Sequence, residues 1–262
     1  MTRGFSIIKG WLSPEEQARA LRQYSAELER SSQQGIVNKN YQVLQDPRPH
    51  GLDAKINQLL EQVRAQTDLT TDWPRPQSDY FDNQMVTFGW HQDHEPYYQY
   101  QDTYNLLNCW VPLIIPQGHS GLSLLPQDVL ESREPGLWAR FKGKGAKQVR
   151  VVGNRTIIRD DQEGDTFYLN WNINDYAVTP DLEPGDLLLI RCDTIHRSST
   201  PLGHRVSLSV RCLNTQGIIT REHFEQQCLE KRRMILANPA YIPLKQRFAQ
   251  VDSMLIGDWL NR

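Results

Sequence analysis

From Asp79 onward the chain breaks into short runs rich in β-branched, aliphatic and aromatic residues, each ended by a turn signal. The runs are Gln84–Trp90, Tyr104–Ile115, Gly121–Leu125, Val149–Val152, Leu187–Cys192 and Arg205–Leu213. Gln117-Gly118, Pro126, Gly153-Asn154 and Pro184-Gly185 separate them, and such dipeptides and prolines turn a chain back on itself. Many short strands with turns between them bury their apolar faces as a double sheet, a barrel or a jelly roll.

Two helices precede the strands. Ser13-Pro14-Glu15-Glu16 is a capping box in which Ser13 caps, Pro14 takes the first helical position and Glu16 reaches back. Helical spacing follows through Leu21, Tyr24 and Leu28, and a second amphipathic stretch runs from about Leu52 to Gln66 with Ile56, Leu59, Leu60 and Val63 on one face. Both helices are expected to back a sheet. The fold class is therefore α+β, with a jelly-roll core and flanking N-terminal helices. No linker composition or repeat divides the 262 residues, so a single domain over 1–262 is expected. It comprises a helical N-terminal part (1–75), a core (79–213) carrying a loop-rich insert over one barrel mouth (about 127–183), and a helical tail (221–262). In that tail a helix runs from Glu222 through about Met234, and a short helix ends the chain.

Composition excludes several functions. Lys and Arg total 29 against 31 Asp and Glu, a net charge of −2, which gives no general attraction to nucleic acid. No apolar run approaches the roughly 18–20 residues of a membrane helix, and the start turns polar at Lys9 before a signal-peptide core can form. A cytoplasmic protein with no membrane partner is expected. Cys109, Cys192, Cys212 and Cys228 form no CxxC pair, so they read as buried free thiols and not as a zinc knuckle or disulfide framework.

The chemistry concentrates at two places. In Phe88-Gly89-Trp90-His91-Gln92-Asp93, His91 and Asp93 are two apart, so on a strand they leave the same face. Downstream, the turn Pro184-Gly185-Asp186 feeds an apolar strand that delivers His196, and a second strand returns with Arg205. Two histidines and one aspartate can then converge. Such a set leaves one face of an octahedral metal open and suits non-haem Fe(II) better than zinc, which prefers four ligands. Arg205 can grip a carboxylate in bidentate fashion, and Ser207, on the same strand face, can add a hydrogen bond.

The order of these segments resembles the phytanoyl-CoA dioxygenase-like family of Fe(II)/2-oxoglutarate oxygenases. The resemblance rests on His91-Gln92-Asp93, on Asn108-Cys109-Trp110-Val111-Pro112-Leu113 followed by Gly121-Leu122-Ser123-Leu124-Leu125-Pro126, on Pro184-Gly185-Asp186 leading to His196, and on Arg205-Val206-Ser207. It spans residues 80–213. It implies a double-stranded β-helix, iron held by His91, Asp93 and His196, and Arg205 on the 5-carboxylate of 2-oxoglutarate. The implied cofactors are Fe(II), 2-oxoglutarate and O₂, with ascorbate as reductant, and the implied activity is hydroxylation with release of succinate and CO₂. Pro126-Gln127-Asp128-Val129 departs from the Pro-Gly-Ser-His that many relatives carry, and the insert aligns with nothing.

Further candidates are Asn108 for the 1-carboxylate of 2-oxoglutarate, and Arg211, Trp171 and Tyr97 for substrate. Tyr97, Tyr98, Tyr100 and Tyr104 follow the metal motif as a candidate lid; His94 and His119 read as loop histidines, and Lys142, Lys144, Lys147 and Arg150 as a solvated basic face. The activity expected is hydroxylation of an unactivated C–H bond in a small polar metabolite, such as an amino-acid derivative or natural-product intermediate. Desaturation, epimerisation or cyclisation with the same cofactors, acyl-CoA hydroxylation, and a non-catalytic metal- or ligand-binding jelly roll are the alternatives. The oligomeric state is not legible.

Overall fold

A computed structural model describes residues 1–33, 44–47, 51–74, 77–84, 87–94, 102–116, 121–199, 203–225 and 242–260. Helix α1 (Pro14–Gln33) starts at the expected capping box: the Ser13 N–H donates to Glu16 Oε2 (2.7 Å), and the Glu16 N–H to Ser13 Oγ. Helix α2 spans Leu52–Gln66 and buries Leu52, Ile56, Leu59, Leu60 and Val63.

The strands are β1 (Phe5–Ile8), β2 (Leu44–Pro47), β3 (Trp73–Pro74), β4 (Gln77–Asp82), β5 (Leu107–Ile114), β6 (Leu122–Leu124), β7 (Lys147–Val152), β8 (Arg155–Asp160), β9 (Thr166–Leu169), β10 (Leu187–Arg191), β11 (His196–Ser198), β12 (Val206–Leu213), β13 (Ile218–Thr220) and β14 (Ser253–Leu255). The major sheet runs β1-β10-β5-β12-β4-β2, with β3 also on β12. Its central strands are covered on both sides, which is why they read as almost unbroken apolar runs. Cys109, Val111, Leu113, Leu208, Val210 and Cys212 pack with Ala20, Tyr24, Ile56 and Leu60 of the helices. Trp110, Leu188 and Ile190 pack on the other side with Leu122 and Leu124. Pro112, which cannot donate to a ladder, is tolerated in β5 because the β5–β12 register shifts there.

The minor sheet is longer than the sequence suggests. β6 pairs with β11, His196 of β11 bridges to His91, His91 bridges to Gln148 of β7, and β7-β8-β9 continue outward. Two facing antiparallel sheets with helices outside one of them make the expected double-stranded β-helix. The 127–183 stretch, expected as a loop-rich cover, instead contains the helices Gln127–Arg133 and Pro135–Phe141, a 3-10 turn and the strands β7–β9. It widens the minor sheet sideways. Val149–Val152 within this stretch was expected as a strand, and the charged residues Arg150, Arg155, Arg159 and Asp160 make the rest of β7 and β8 read as loop.

Two more expectations shift. The described residues of the strand expected at Gln84–Trp90 form none; the strand before them, β4, ends at Asp82, whose Oδ1 accepts the Gln84 N–H (2.8 Å) and closes a turn. In the tail, a helix covers Arg221–Glu225, its expected continuation lies outside the described residues, and the final helix is Ile256–Leu260. The tail is not purely helical, because β13 and β14 pair there. Cys109, Cys192 and Cys212 are buried free thiols as expected; Cys228 lies outside the described residues. No described helix is long and apolar enough to cross a membrane.

Candidate metal centre

His91 and His196 occupy directly opposed positions on neighbouring segments of the minor sheet. Each donates its backbone N–H to the other's carbonyl at 2.9 Å, and their ring centroids lie 4.4 Å apart. Asp93, two residues past His91, completes the group: the ligand atoms of the three lie within 4.8 Å of one another. Asp93 Oδ1 stands 3.6 Å from His91 Nε2 and 3.7 Å from His196 Nε2. Donors at right angles around an ion lie about 3 Å apart for bonds of about 2.1 Å, so small side-chain rotations suffice to grip one. No fourth His, Cys, Asp or Glu joins the group among the described residues, which fits a metal with open positions and not a closed structural zinc.

The surroundings prepare all three donors. His91 Nδ1 lies 2.7 Å from the Gly89 carbonyl and His196 Nδ1 2.9 Å from the Thr194 carbonyl. A carbonyl only accepts, so each Nδ1 carries the proton and each Nε2 offers its lone pair. Burial, reinforced by the neighbouring His91, pushes His196 down to about 4, so it is a neutral imidazole at neutral pH. Burial alone would raise Asp93, but the adjoining His91 and the charge of Arg211 outweigh it and hold the carboxylate well below its usual range. Arg211 Nη2 approaches Asp93 Oδ2 at 3.8 Å, leaving Oδ1 turned toward the imidazoles.

A polar brace joins the two ligand segments. Gln92, fully buried between His91 and Asp93, donates Nε2 to the Asp193 carbonyl (2.6 Å). The Asp193 carboxylate in turn accepts from Arg191 (2.5 Å), Gln127 (2.7 Å) and the Gly143 N–H (2.9 Å). Sequence reasoning missed these residues. Gln127, noted only as a departure from a motif, fills a structural role.

Arg205 lies just before β12 and is only 2% exposed. Its Nη1 donates to the Gly121 carbonyl, its Nε has no hydrogen-bond partner, and no ion pair reaches it among the described residues. Gly121 has φ +87, and a Cβ there would overlap the Arg205 side chain, with Nη1 at 2.9 Å. The Ser199 N–H also donates to Gly121 O. The guanidinium therefore lies beside the β6–β11 pair three residues from His196, roughly 10 Å along the strands.

The remaining candidates divide. Asn108 stands opposite Arg211, and its Oδ1 accepts from Ser209 Oγ (2.7 Å). Ser207 is fully buried with its hydroxyl against the Phe81 carbonyl at 3.5 Å. Trp171 is not brought to the metal group: its indole N–H donates to Glu134 (2.9 Å), and it packs with Trp90, Val149, Ile158, Leu169 and Ile195. Trp90 and Ile195 precede the two ligand histidines and point the opposite way, so this cluster is the back of the minor sheet. Tyr97, Tyr98, Tyr100 and His119 lie outside the described residues. Tyr104 packs against Arg191 (3.9 Å) and donates to Asp68. His94 is buried against Asp161 at 2.9 Å. Lys147 is not part of a solvated face: it is fully buried, 3.0 Å from Asp160, because β7 turns its odd positions inward there.

No protein-family model and no curated protein sequence matches the chain. Solved structures do. The apo form of ThoJ, a non-heme monooxygenase, aligns at 16% identity with a TM-score of 0.52, over 81% of this chain and 74% of that one. EctD from S. alaskensis, solved with 2-oxoglutarate and 5-hydroxyectoine, aligns at 14% identity with a TM-score of 0.49, over 83% and 74%. The likeness to ThoJ is one of fold and agrees with the double-stranded β-helix described above.

Proposed function

We propose that this protein is an Fe(II)- and 2-oxoglutarate-dependent oxygenase that hydroxylates an unactivated C–H bond of a small polar metabolite. The observation that carries the reading is Arg205, a buried guanidinium with no carboxylate in contact among the described residues, near an open His–Asp–His group. An unpaired buried cation is costly, and the 5-carboxylate of 2-oxoglutarate is the anion that offsets it.

Within this reading His91, His196 and Asp93 hold the metal. Iron bound there supplies activation of O₂ coupled to decarboxylation of 2-oxoglutarate to succinate and CO₂. The chain's own part is positional: the Gly89 and Thr194 carbonyls orient the two imidazoles, and Arg211 lies by Oδ2 of Asp93, leaving Oδ1 on the side of the imidazoles where it would hold the metal. Arg205 fixes the far end of the cosubstrate, while Asn108, whose amide oxygen is engaged by Ser209, keeps its Nδ2 for the near carboxylate. Ser207 acts by packing beneath that anion.

The test is direct. Adding 2-oxoglutarate anaerobically to Fe(II)-loaded protein should produce a visible charge-transfer band, and aerobic turnover should form succinate. In a metabolite screen, the compound that stimulates succinate formation should gain one oxygen by mass. Absence of both the band and succinate refutes the reading.

A further inference from the structure

The row of side chains that holds the metal continues across the sheet. His196, His91, Gln148 and Arg159 stand directly opposite one another in successive segments, and directly opposed residues share a face. With neighbouring strands about 4.8 Å apart, Gln148 lies one strand and Arg159 two strands from His91. Two residues along β7, Arg150 pairs with Ile157, and Ile157 with Tyr168 of β9. They occupy the same face, since the intervening Val149 and Ile158 lie in the cluster behind the sheet. The metal face of the β-helix therefore runs out uninterrupted onto the front of β7–β9.

This extension has a definite chemistry. Arg150, Arg155 and Arg159 face forward, and no carboxylate does: the single acid of the three strands, Asp160, is behind the sheet with Lys147. Arg159 is partly neutralised by Asp161 at 3.0 Å. Arg150 is exposed, and among the described residues it has neither hydrogen bond nor ion pair. Beside it Ile157 is half-buried, and Tyr168 is 69% exposed. A cation with adjoining apolar and aromatic surface suits an organic anion with a hydrocarbon body.

We propose that the front of β7–β9 is the substrate platform, and that the substrate is a small organic acid whose carboxylate is bound by Arg150 and whose apolar part lies over Ile157 and Tyr168. This rests on the metal centre proposed above. It also reassigns specificity from Trp171 on the back of the sheet to the front, one strand from His91.

The experiment uses Mn(II) in the His91–Asp93–His196 site, saturating 2-oxoglutarate to occupy Arg205, and phenylacetate as probe, with phenylacetamide as its neutral isostere. Water-proton relaxation reports whether Mn(II) binds; relaxation of the probe's ring protons reports whether it docks beside the metal. Phenylacetate should relax in a saturable way and phenylacetamide should not. Arg150→Ala should weaken phenylacetate on the order of tenfold, the loss of one charged hydrogen bond, with Mn(II) still retained. Arg133→Ala, which removes a cation stacked on Tyr176 at 4.2 Å behind the sheet, should change nothing. Mn(II) binding without relaxation of phenylacetate, equal relaxation of the amide, or an unaffected Arg150→Ala overturns the platform and leaves the metal centre standing. Failure to bind Mn(II) overturns the metal centre itself.

Discussion

Replacing Arg205 with methionine should move stability and cosubstrate binding in opposite directions. The side chain is 2% exposed, its Nε lacks a hydrogen-bond partner, and no carboxylate pairs with it among the described residues. Burial pushes the guanidinium below its usual range despite the opposing charge of Asp82, the mark of a charge held where the fold would prefer a neutral group. Exchanging buried charge for an apolar side chain of similar volume is often stabilising, by about 1–4 kcal/mol. The Gly121 carbonyl loses one donor but keeps the Ser199 N–H at 3.0 Å. The ligand-free variant should therefore melt higher, on the order of 2–4 °C per kcal/mol for a chain of this size. Its affinity for 2-oxoglutarate should fall by about 2–5 kcal/mol, because a carboxylate entering the pocket finds no partner. That is roughly a thirtyfold to several-thousandfold loss. Scanning calorimetry without 2-oxoglutarate, paired with anaerobic titration of Fe(II)-loaded protein, measures both. A variant that melts several degrees lower while binding 2-oxoglutarate normally would show that Arg205 serves the fold and not an anion.

Three further outcomes follow from neighbouring geometry. Gly121→Ala puts a Cβ into the Arg205 side chain at a residue with φ +87, so it should lower the melting temperature and weaken 2-oxoglutarate at least tenfold, measured by the same two assays; unchanged binding would mean that Arg205 does not need that cradle. His196→Ala should abolish Fe(II) binding in equilibrium dialysis while the far-ultraviolet dichroism stays as in the parent, because β11 is held to β6 through its backbone; retained metal would refute the ligand set. The Asp186 carboxylate accepts from Lys9 (2.8 Å), the Gly10 N–H (2.7 Å) and the Glu183 N–H (2.8 Å). Burial raises its pKa but these donors overcome it and hold it low, so its contribution is complete above the unfolded value of about 4 and disappears as pH falls below that. Asp186→Asn should accordingly lower stability at pH 7 by about 1–3 kcal/mol and flatten the acid limb of a urea-denaturation series; an unaltered acid limb would assign that limb to other carboxylates.

The parts of this protein that were legible in its sequence are those written in local rules. The Ser13–Glu16 cap, the apolar stripe of α2 and the strands around Leu188 and Leu208 follow directly from spacing and burial. The meeting of His91, Asp93 and His196 was legible because a His-x-Asp triplet and a histidine after an apolar strand stand out in the sequence. Most of the insert was not: only Val149–Val152 stands out as a strand, while β8 opens and closes on the charged residues Arg155, Arg159 and Asp160 and so resembles a solvated loop. The fate of Lys147 depends on a partner thirteen positions away in sequence, Asp160, across a hairpin whose register no local pattern fixes. Gln92, Gln127 and Asp193 meet only because three separate segments converge there, and nothing in the sequence near any of them announces that meeting.

β7 is joined to the His91 segment through main-chain atoms: the Gln92 N–H donates to the Lys147 carbonyl and the Val149 N–H to the Trp90 carbonyl, at 2.9 and 3.0 Å. Main-chain bonds of this kind do not depend on which side chains the strand carries. Arg150 and Arg155 can therefore be exchanged without disturbing the attachment of β7 or the His91–Asp93–His196 group. For a lineage carrying this gene, that separates two kinds of change. Under the function and platform proposed above, mutations on the outer strands would sample new acids one at a time against an unaltered oxidising centre, and repertoire would drift while chemistry stays fixed.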